Sequence, residues 1–410
     1  MSDRWNLHGY QSVFATLRAR LAETPPTKIQ LLVGPRQVGK TTLLLELARS
    51  ESRPTFYVSA DTPEAALPGW ADSVWRSAEE KAASGPAILL IDEIQALPRW
   101  SQWLKARFDR VLQLRLPLHV VATGSSSLRV GAGARESMAG RFERLTLTHW
   151  GARDLQELLR VSAAAASEKI VTHGGYPGAA ALWDDDLRWK SYLRDAIIEP
   201  AIGRDLLHLE QVRKPALLRQ VFALAVAHPA EILSLEKIAG ALAETGALET
   251  IAHYLALLQE AFLVAPLQKH AGDEIRRRRA PPKLVILNNA LLAGGRSAPP
   301  PTASTQPQEW GRWLENACLA HFLNSGQQLH YWREEPWEVD GVASGSWGRW
   351  LVEVKAGSYN VADLRGLTQA AQRFPDFKPL VLCDPGREDV ARAAGFSAQA
   401  WPDFLRDGAL

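Results

Sequence analysis

The sequence is poor in cysteine, and its two cysteines, Cys318 and Cys383, are far apart. Two thiols cannot build a disulfide framework, and these lack the close spacing of a metal site. No apolar run approaches the roughly 18 residues that a membrane span requires. Residues 1–10 contain no apolar signal core. These absences predict a cytoplasmic protein that does not contact a membrane.

A strong charge of either sign is also missing, because the formal net charge is +2 over 410 residues. A global basic field for nucleic acid is therefore excluded, and any surface that binds DNA must be local. Hydrophobic residues make up 46% of the chain and charged residues 22%, which is ordinary for a globular protein. The length predicts roughly two to four domains.

One stretch carries a specific motif. Residues 34–41, Gly-Pro-Arg-Gln-Val-Gly-Lys-Thr, follow the apolar run 29–33 and precede an apolar helical segment. The pattern G-x-x-x-x-G-K-[ST] between a strand and a helix is the phosphate-binding loop. Its backbone N–H groups form an anion nest, and the helix N-terminus adds positive charge. We predict that Lys40 reaches the β- and γ-phosphates and that the Thr41 hydroxyl binds Mg²⁺. The predicted ATP-binding residues are Gly34, Pro35, Arg36, Gln37, Val38, Gly39, Lys40, Thr41 and Thr42.

A second nucleotide signature lies further along the chain. Residues 87–91 are apolar, and Asp92 and Glu93 follow them directly. Such a strand is buried on both faces of a parallel sheet, and its carboxyl end lies at the ligand-binding edge. Asp92 is the expected partner of Mg²⁺ through water, and Glu93 is the expected base that polarises the attacking water.

A phosphate sensor and an arginine are expected to complete this site. Residues 119–126 indicate another buried strand, which ends in small polar residues beside the γ-phosphate. Ser125 or Thr123 would sense that phosphate by hydrogen bonding, and an ordinary Gly-Ser turn is the alternative. Arg135 or Arg141 would neutralise charge in the transition state, unless it forms only surface salt bridges.

Together these motifs resemble a prokaryotic AAA+ ATPase family. The similarity rests on Gly34–Thr41, on Ile88–Glu93 with Ile94-Gln95, on Thr123–Ser126, and on Ala139-Gly140-Arg141 followed by Leu145-Thr146-Leu147. Members combine an AAA_14-like P-loop domain with a C-terminal region of unknown function, of the DUF4143 type. The resemblance implies that Arg141 is the arginine finger and that the protein is a homo-oligomer.

The middle of the chain predicts two smaller domains. Residues 173–178, His-Gly-Gly-Tyr-Pro-Gly, interrupt two helical stretches. They are similar to a turn that the family has near its helical lid, although the residues alone indicate only a turn. Within residues 205–292, a helix at 235–242, a turn at Gly246, a second helix at 248–260 and a hairpin indicate a winged helix-turn-helix.

The hairpin of this winged helix carries four arginines, at 276–279, near its tip. They could bind phosphates with salt-sensitive, sequence-independent affinity, or they could belong to a solvated loop. The second helix has few basic residues, so sequence-specific reading of bases is not expected. The second strand of the hairpin resembles a Lys-x-x-x-x-Asp strand of the family, with Asn288 where Asp is usual.

A further group of ionisable residues lies near the C-terminus. Glu353 and Lys355 are two positions apart in an apolar strand and therefore point to one face. Asp340 on the preceding strand can come alongside, and Glu315 lies on a helix before both. Because hard carboxylate oxygens suit Mg²⁺, Asp340, Glu353 and Glu315 are predicted metal ligands. The metal would stabilise a pentavalent phosphate and lower the pKa of a water that Lys355 orients.

The order Glu315, Asp340, Glu353-x-Lys355 resembles the PD-(D/E)xK nuclease superfamily. The resemblance implies a restriction-endonuclease-like fold with Asp340, Glu353 and Lys355 as catalytic residues and Mg²⁺ as cofactor. Some members of the superfamily only bind nucleic acid, so cleavage and binding both stay open. From the residues alone, an exposed salt-bridge ladder on an antiparallel sheet is the alternative.

The predicted fold class is α/β. It comprises a P-loop AAA+ parallel sheet core at 1–150, a helical lid at 151–204, a winged helix-turn-helix at 205–296, and a C-terminal α/β restriction-endonuclease-like domain at 310–410. The proline-rich residues 297–309 form a linker, a boundary or an ordered loop before the last domain.

Two functions from different classes fit these motifs. The leading hypothesis is an ATP-hydrolysing AAA+ enzyme that acts on duplex or branched DNA by remodelling, translocation or processing. Lys40, Glu93, Ser125 and Arg141 would serve hydrolysis, and metal-dependent DNA cleavage by the C-terminal domain is a further option. The alternative is a nucleotide-gated switch that controls assembly or partner binding and does not act on DNA.

Overall fold

The computed structural model describes residues 9–124, 140–206, 212, 214–243, 247–271 and 280–409. These residues fall into two compact units, which divide between Thr148 and His149. They are referred to below as the first unit and the second unit. The finer boundaries at residues 204, 296 and 309 stay predictions.

A five-stranded parallel sheet forms the centre of the described first unit. Its spatial order is β2-β3-β4-β1-β5. The strands are β1 (Ile29–Val33), β2 (Thr55–Ser59), β3 (Ala87–Asp92), β4 (Leu118–Gly124) and β5 (Phe142–Thr146). Every residue of β1, β3 and β4 is buried, as their apolar sequences predict for central strands of a parallel sheet. The carboxyl ends of these three strands therefore meet at one edge.

Helices cover this sheet. They are α1 (Tyr10–Leu21), α2 (Lys40–Ser50), α3 (Trp70–Ser84) and α4 (Trp100–Leu114) within the described residues. Trp75 of α3 and Phe108 of α4 pack in one core with Leu31 and Leu89 of the sheet. A 3-10 turn at Glu64–Ala66 precedes α3, which begins after Gly69, a residue with a left-handed backbone (φ 81°).

The second unit begins with helices and a small antiparallel sheet. The helices are α5 (Ala152–Leu159), α6 (Ala163–His173), α7 (Pro177–Ala180), α8 (Asp186–Tyr192), α9 (Pro215–Ala227), α10 (Leu235–Ala241) and α11 (Leu248–Glu260), with π-helical turns at Leu193–Ile198 and Pro200–Leu206. Strands β6 (Glu231–Ile232), β7 (Val264–Leu267) and β8 (Lys283–Ile286) pair in the order β6-β8-β7. Helices α10 and α11 and the pairing of β7 with β8 lie in the predicted region. The winged helix-turn-helix itself stays a prediction, and its turn at Gly246 lies outside the described residues.

The rest of the second unit is built on a mixed sheet of order β13-β12-β11-β10-β9. Its elements are α12 (Ala290–Gly294), α13 (Pro307–Asn324), β9 (Gln328–Glu334), β10 (Trp337–Gly345), β11 (Gly348–Lys355), α14 (Arg365–Arg373), β12 (Lys378–Cys383), α15 (Glu388–Ala393), β13 (Ser397–Ala400) and α16 (Trp401–Asp407). Strands β9 to β11 are antiparallel, and β11 to β13 are parallel. This mixed sheet with helices confirms the predicted C-terminal α/β fold class.

The proline-rich segment before α13 is an ordered loop. The buried Lys190 ammonium donates to the carbonyl oxygens of Ser297 and Ala298 at 3.2 and 2.9 Å. Arg296, at the start of the segment, forms an ion pair with Glu309 in the first turn of α13. Both ends of the loop are therefore held against the second unit.

Both cysteines belong to the second unit. Cys318 of α13 and Cys383 of β12 are 0% exposed, and both are free thiols. None of the described helices combines the length and the apolar character that crossing a bilayer demands.

Candidate functional site

The loop between β1 and α2 forms a backbone cradle. Gly39 has a left-handed conformation (φ 93°, ψ 22°), and α2 begins at the next residue. Gln37 is also left-handed, with φ 60°. Left-handed residues within a turn point neighbouring N–H groups into one concavity, which is a geometry that binds anions. The predicted phosphate loop therefore has the backbone shape that its motif requires.

Lys40 crosses this loop with its ammonium buried. Its residue is 6% exposed, and Nζ donates to the carbonyl oxygens of Gly34 at 3.0 Å and Pro35 at 2.6 Å. These acceptors are uncharged and belong to the loop itself. Phosphate oxygens can replace them without leaving a buried carboxylate behind.

Gly34 is required by packing as well as by the nest. A Cβ at this position would lie 2.0 Å from the carbonyl oxygen of Leu147. The backbone N–H of Leu147 donates to the carbonyl oxygen of Val33 at 2.8 Å. The chain after β5 therefore passes so close to the start of the loop that only glycine fits.

Asp92, which is 2% exposed, is the centre of a network at the end of β3. The Thr41 hydroxyl donates to Asp92 Oδ2 at 2.6 Å, and the Tyr57 hydroxyl donates to the same oxygen at 3.2 Å. The Thr123 hydroxyl donates to Oδ1. Burial, together with the charge of Asp92, raises the pKa of Tyr57 to about 12, so its hydroxyl stays a donor. The carboxylate predicted to bind Mg²⁺ is thus fixed beside the Thr41 hydroxyl.

Glu93 follows in a left-handed conformation, with φ 51°. Its backbone N–H lies 3.1 Å from both Asp92 Oδ1 and Thr123 Oγ1. Its carboxylate accepts a hydrogen bond from the side-chain amide of Gln95. A left-handed conformation is uncommon for a residue with a side chain and is concentrated at functional sites. Sequence reasoning gave Gln95 no role, although an amide two positions after the acidic pair was the available signal.

This edge of the sheet fits both parts of MgATP. The Thr41 hydroxyl and the Asp92 carboxylate, 2.6 Å apart, are hard oxygen donors of the kind that Mg²⁺ prefers. The cradle and the Lys40 ammonium suit a polyphosphate chain. The structure therefore brings together the predicted nucleotide residues from three separate parts of the sequence.

Arg141 lies at the other end of the same sheet. Its carbonyl oxygen accepts from the backbone N–H of Ile29, the first residue of β1, at 2.9 Å, whereas the phosphate loop follows Val33, the last. The length of β1, about 13 Å, exceeds the reach of an arginine side chain. Arg141 also donates to Asp109 of α4. Ser125 and Arg135, the other predicted residues here, lie outside the described residues.

Strands β10 and β11 bring the predicted nuclease residues together. The pairing of Gly341 with Val352 places Asp340 in line with Glu353 on the neighbouring strand. Asp340 Oδ2 accepts from the backbone N–H of Val354 at 2.8 Å, next to a β-bulge in β10. Lys355 Nζ lies 2.7 Å from Glu353 Oε1. Burial and the negative charge of Asp340 raise the pKa of the Glu353 carboxyl.

Lys283, the first residue of β8, is a member of this group that the sequence analysis did not include. It is 1% exposed, and its Nζ lies 2.6 Å from Glu315 Oε1, 3.4 Å from Asp340 Oδ1 and 3.6 Å from Glu338 Oε1. Burial disfavours its charge, but these carboxylates outweigh that effect and raise its pKa. A single lysine at the start of the apolar run 284–287 was the signal available in the sequence.

The trio Glu315, Asp340 and Glu353 is not arranged as a metal site. Across the residues that the structure describes, no three His, Cys, Asp or Glu side chains are grouped so that they could hold a metal ion. Lys283 lies between Glu315 and Asp340, and Lys355 binds Glu353. In this arrangement the residues do not fit Mg²⁺, which differs from the expectation drawn from their order in the sequence.

Comparisons with known families divide the chain in three. Residues 26–155 match the family described as AAA domain. The first unit carries an AAA domain. Residues 165–299 match a domain of unknown function, DUF8612, and residues 310–404 match another, DUF4143. These matches confirm the predicted P-loop AAA domain and the DUF4143-type region.

Individual relatives match part of the chain. An uncharacterized protein of Mycobacterium tuberculosis and one of Mycobacterium bovis are each 29% identical over 258 residues, which cover 62% of this chain and 52% of theirs. The ATPase family gene 2 protein homolog B of Rattus norvegicus is 32% identical over 127 residues, covering 28% of this chain and 17% of its own. This chain thus spans about half the length of the mycobacterial relatives.

Outside the AAA domain, Asn288 joins the Gly-Gly-Tyr-Pro turn to the end of β8. Its Oδ1 accepts from the backbone N–H groups of Gly175 and Ala290, both at 3.1 Å, and its Nδ2 lies 3.0 Å from His149 Nδ1. His149 Nε2 lies 3.0 Å from the carbonyl oxygen of Phe262. These partners fix a neutral ring that carries its proton on Nε2. Asn288 therefore has a structural role, because its hydrogen bonds connect the turn to the residues that follow β8.

Proposed function

We propose that the chain binds and hydrolyses ATP in its AAA domain. The observation that carries this proposal is the hydrogen-bonded network of Thr41, Asp92 and Thr123 at the end of β3. It lies where the phosphate loop begins α2, and it connects the loop to the strand that bears Glu93. Chance packing of a glycine turn does not explain why a buried carboxylate binds the hydroxyl of that turn.

Each residue has a defined role in this proposal. Lys40 exchanges its two carbonyl acceptors for the β- and γ-phosphate oxygens. Mg²⁺, when bound at Thr41 and Asp92, supplies charge that neutralises the phosphates. Glu93 orients the attacking water and takes its proton. Gln95 holds the carboxylate of Glu93 in one direction until the water is in place.

Phosphate release by the purified protein tests these roles. We expect Glu93→Gln to lower the hydrolysis rate by about 100-fold or more, as removal of a catalytic base does, while a fluorescent ATP analogue still binds. Glu64→Gln, at an exposed acid of the same unit, is the matched control and should keep the parent rate. Hydrolysis by Glu93→Gln at the parent rate would contradict the assignment.

We propose that the AAA domain works in a homo-oligomer, because Arg141 is out of reach of the ATP site in its own chain. A neighbouring subunit would then receive this arginine at its γ-phosphate. Mixing Arg141→Ala chains with Glu93→Gln chains, each inactive alone, should restore part of the activity. No restoration, in mixtures that assemble, would exclude Arg141 as a finger supplied to a neighbour.

We propose DNA as the macromolecule on which the ATP cycle acts. One support is the order of elements in residues 215–286, which is a helix, a strand, two helices and a hairpin, as in a winged helix. The other is the resemblance of the C-terminal strands to those of enzymes that act on nucleic acids. The arginines of the hairpin lie outside the described residues. Metal-dependent cleavage is not included in the proposal, because the carboxylates of the C-terminal sheet do not fit a metal ion as they stand.

A nucleotide-gated switch is the second candidate, and one observation favours it. The face of α11 that would meet DNA exposes neither lysine nor arginine; its exposed residues are Glu249, Ala252, His253, Ala256, Gln259 and Glu260. A surface of this composition repels phosphates and suits a protein partner better.

ATP hydrolysis with and without linear, single-stranded and branched DNA separates the two candidates. Stimulation by one form of DNA, together with salt-dependent binding, would support action on DNA. Hydrolysis that ignores every DNA, and no DNA binding at low salt, would leave the switch. Glu93→Gln serves as the control for contaminating ATPases.

A further inference from the structure

The carboxylate cluster of the second unit comprises Glu315, Glu338, Asp340 and Glu353. The first three each place an oxygen within 3.6 Å of the Lys283 ammonium, and the fourth is bound by Lys355. Four carboxylates thus share two ammonium groups and the guanidinium of Arg333, which lies 3.8 Å from Glu338 Oε2. Burial and the charge of Asp340 raise the pKa of Glu315 as well, which is consistent with an excess of negative charge.

Lys283 reaches this cluster from another sheet. It is the first residue of β8, which pairs with β6 and β7, whereas Glu315 lies on α13 and Asp340 on β10. Its side chain is 1% exposed, so the contact is not an exposed ladder of surface salt bridges. The nearby carboxylates offset the hydration that the Lys283 ammonium loses on burial.

We propose that Lys283 is the resident cation of the carboxylate cluster and that it prevents a divalent metal ion from binding there. An ammonium ion and a divalent cation compete for the same oxygens. Lys283 engages one oxygen of Glu315 and one of Asp340, and the second oxygen of Asp340 accepts from the backbone of Val354. Both oxygens of Asp340 and one oxygen of Glu315 are therefore already engaged.

Glu353 supplies independent support. Its residue is 8% exposed, and its Oε2 is buried without a hydrogen-bond partner among the described residues. A buried carboxylate oxygen without a partner is costly, and it adds to the attraction of this cluster for a positive charge. With Lys283 removed, this oxygen, Glu315 and Asp340 would have no ammonium between them and would attract a cation.

Titration with Mn²⁺, followed by electron paramagnetic resonance, tests the proposal on the full chain. All variants carry Asp92→Asn, which removes the carboxylate of the ATP site. We expect Lys283→Met to bind a Mn²⁺ ion roughly tenfold more tightly than this parent, or better, because three carboxylates lose their ammonium. Adding Glu353→Gln should abolish the gain.

The matched control is Lys190→Met. Lys190 is also buried, at 8% exposure. Its ammonium lies 2.8 Å from Asp186, which is the one carboxylate that pairs with it among the described residues. Its removal should give no Mn²⁺ site. Lys283→Arg, which keeps the positive charge, should give none either.

Two results would overturn the proposal. One is a Mn²⁺ site in the parent that Glu353→Gln abolishes, because the cluster would then bind metal with Lys283 in place. The other is a Lys283→Met chain that neither binds Mn²⁺ nor shows a higher Tm in its presence. A variant that unfolds without metal is still informative, because bound Mn²⁺ must raise its Tm.

Discussion

Two buried lysines, one in each unit, show how the partner of an ammonium decides what it can do. Lys40 is 6% exposed and donates to two carbonyl oxygens of its own loop. Lys283 is 1% exposed and lies among three carboxylates from two other elements. Carbonyl acceptors can be exchanged for a ligand at small cost, whereas carboxylates cannot be left alone in the interior. Lys40 can therefore bind an anion, whereas Lys283 stabilises the fold.

Substitution of Lys40 should have its largest effect on function. We expect Lys40→Met to lower ATP hydrolysis by about 100-fold or more, since a charge aimed at the developing phosphate charge is lost. Its free energy of unfolding should fall by about 1–3 kcal/mol, less than for Lys283→Met, because the carbonyl acceptors at Gly34 and Pro35 are neutral. Phosphate release and urea denaturation measure the two quantities. A Lys40→Met chain that loses much of its stability but keeps its hydrolysis rate would contradict the role assigned to Lys40.

Substitution of Lys283 should do the opposite. We expect Lys283→Met to lower the free energy of unfolding of the second unit by about 3–5 kcal/mol, because buried carboxylates lose their counter-charge. Adding Glu315→Gln and Asp340→Asn should restore most of this loss, since a neutral network carries no uncompensated charge. Urea denaturation followed by circular dichroism measures both. A single variant as stable as the parent would show that Lys283 is not needed for charge balance.

The stability of the first unit should depend on pH through a third buried group, His119, which is uncharged in the folded protein at neutral pH. His119 of β4 is 5% exposed. Burial and the positive charge of Arg53 lower its pKa to about 4, although the negative charge of Glu51 acts in the opposite direction. The unfolded chain therefore takes up this proton first as the pH falls from about 6.5 to about 4. Stability should fall over that window by up to about 3 kcal/mol. His119→Gln should flatten the profile, and an unchanged profile would exclude His119 as its origin.

Asn288→Asp is expected to have a smaller effect that again depends on charge. A carboxylate at this position must accept from His149 Nδ1, so the ring would have to carry protons on both nitrogens. The pKa of His149 would rise in the folded state, and the variant would lose about 1–2 kcal/mol as the pH rises through it. Urea denaturation at several pH values measures this. A loss that is the same at every pH would mean that the ring stays neutral.

Much of the ATP site could be predicted from the sequence because its signals are local. The runs 29–33 and 87–91 are apolar except for Gln30, as buried parallel strands mostly are. Gly39-Lys40-Thr41 opens a helix directly. Since parallel strands share one ligand edge, Asp92 could be placed beside Thr41 without a structure. The C-terminal pair Asp340 and Glu353 followed from strand alternation in the same way.

Lys283 could not be placed by such rules. It lies 32 positions before Glu315 of α13, and no periodicity connects the two. Its strand β8 also belongs to a different sheet from β10, which carries Asp340. The sequence shows a set of carboxylates in the order of a metal site, but it does not show which cation fills it. A buried lysine at the head of an apolar strand is a weak signal, because long side chains at strand ends commonly reach solvent.

The placement of the two thiols allows opening of the second unit to be measured by thiol labelling. The chain has only Cys318 and Cys383, both are 0% exposed in the second unit, and the AAA domain has none. A thiol-reactive dye added to the folded protein can therefore react only when the second unit opens. The labelling rate in native buffer gives the opening free energy of that unit alone. Comparison of the rate with and without ATP would reveal, with no substitution in the chain, whether events in one unit loosen the other.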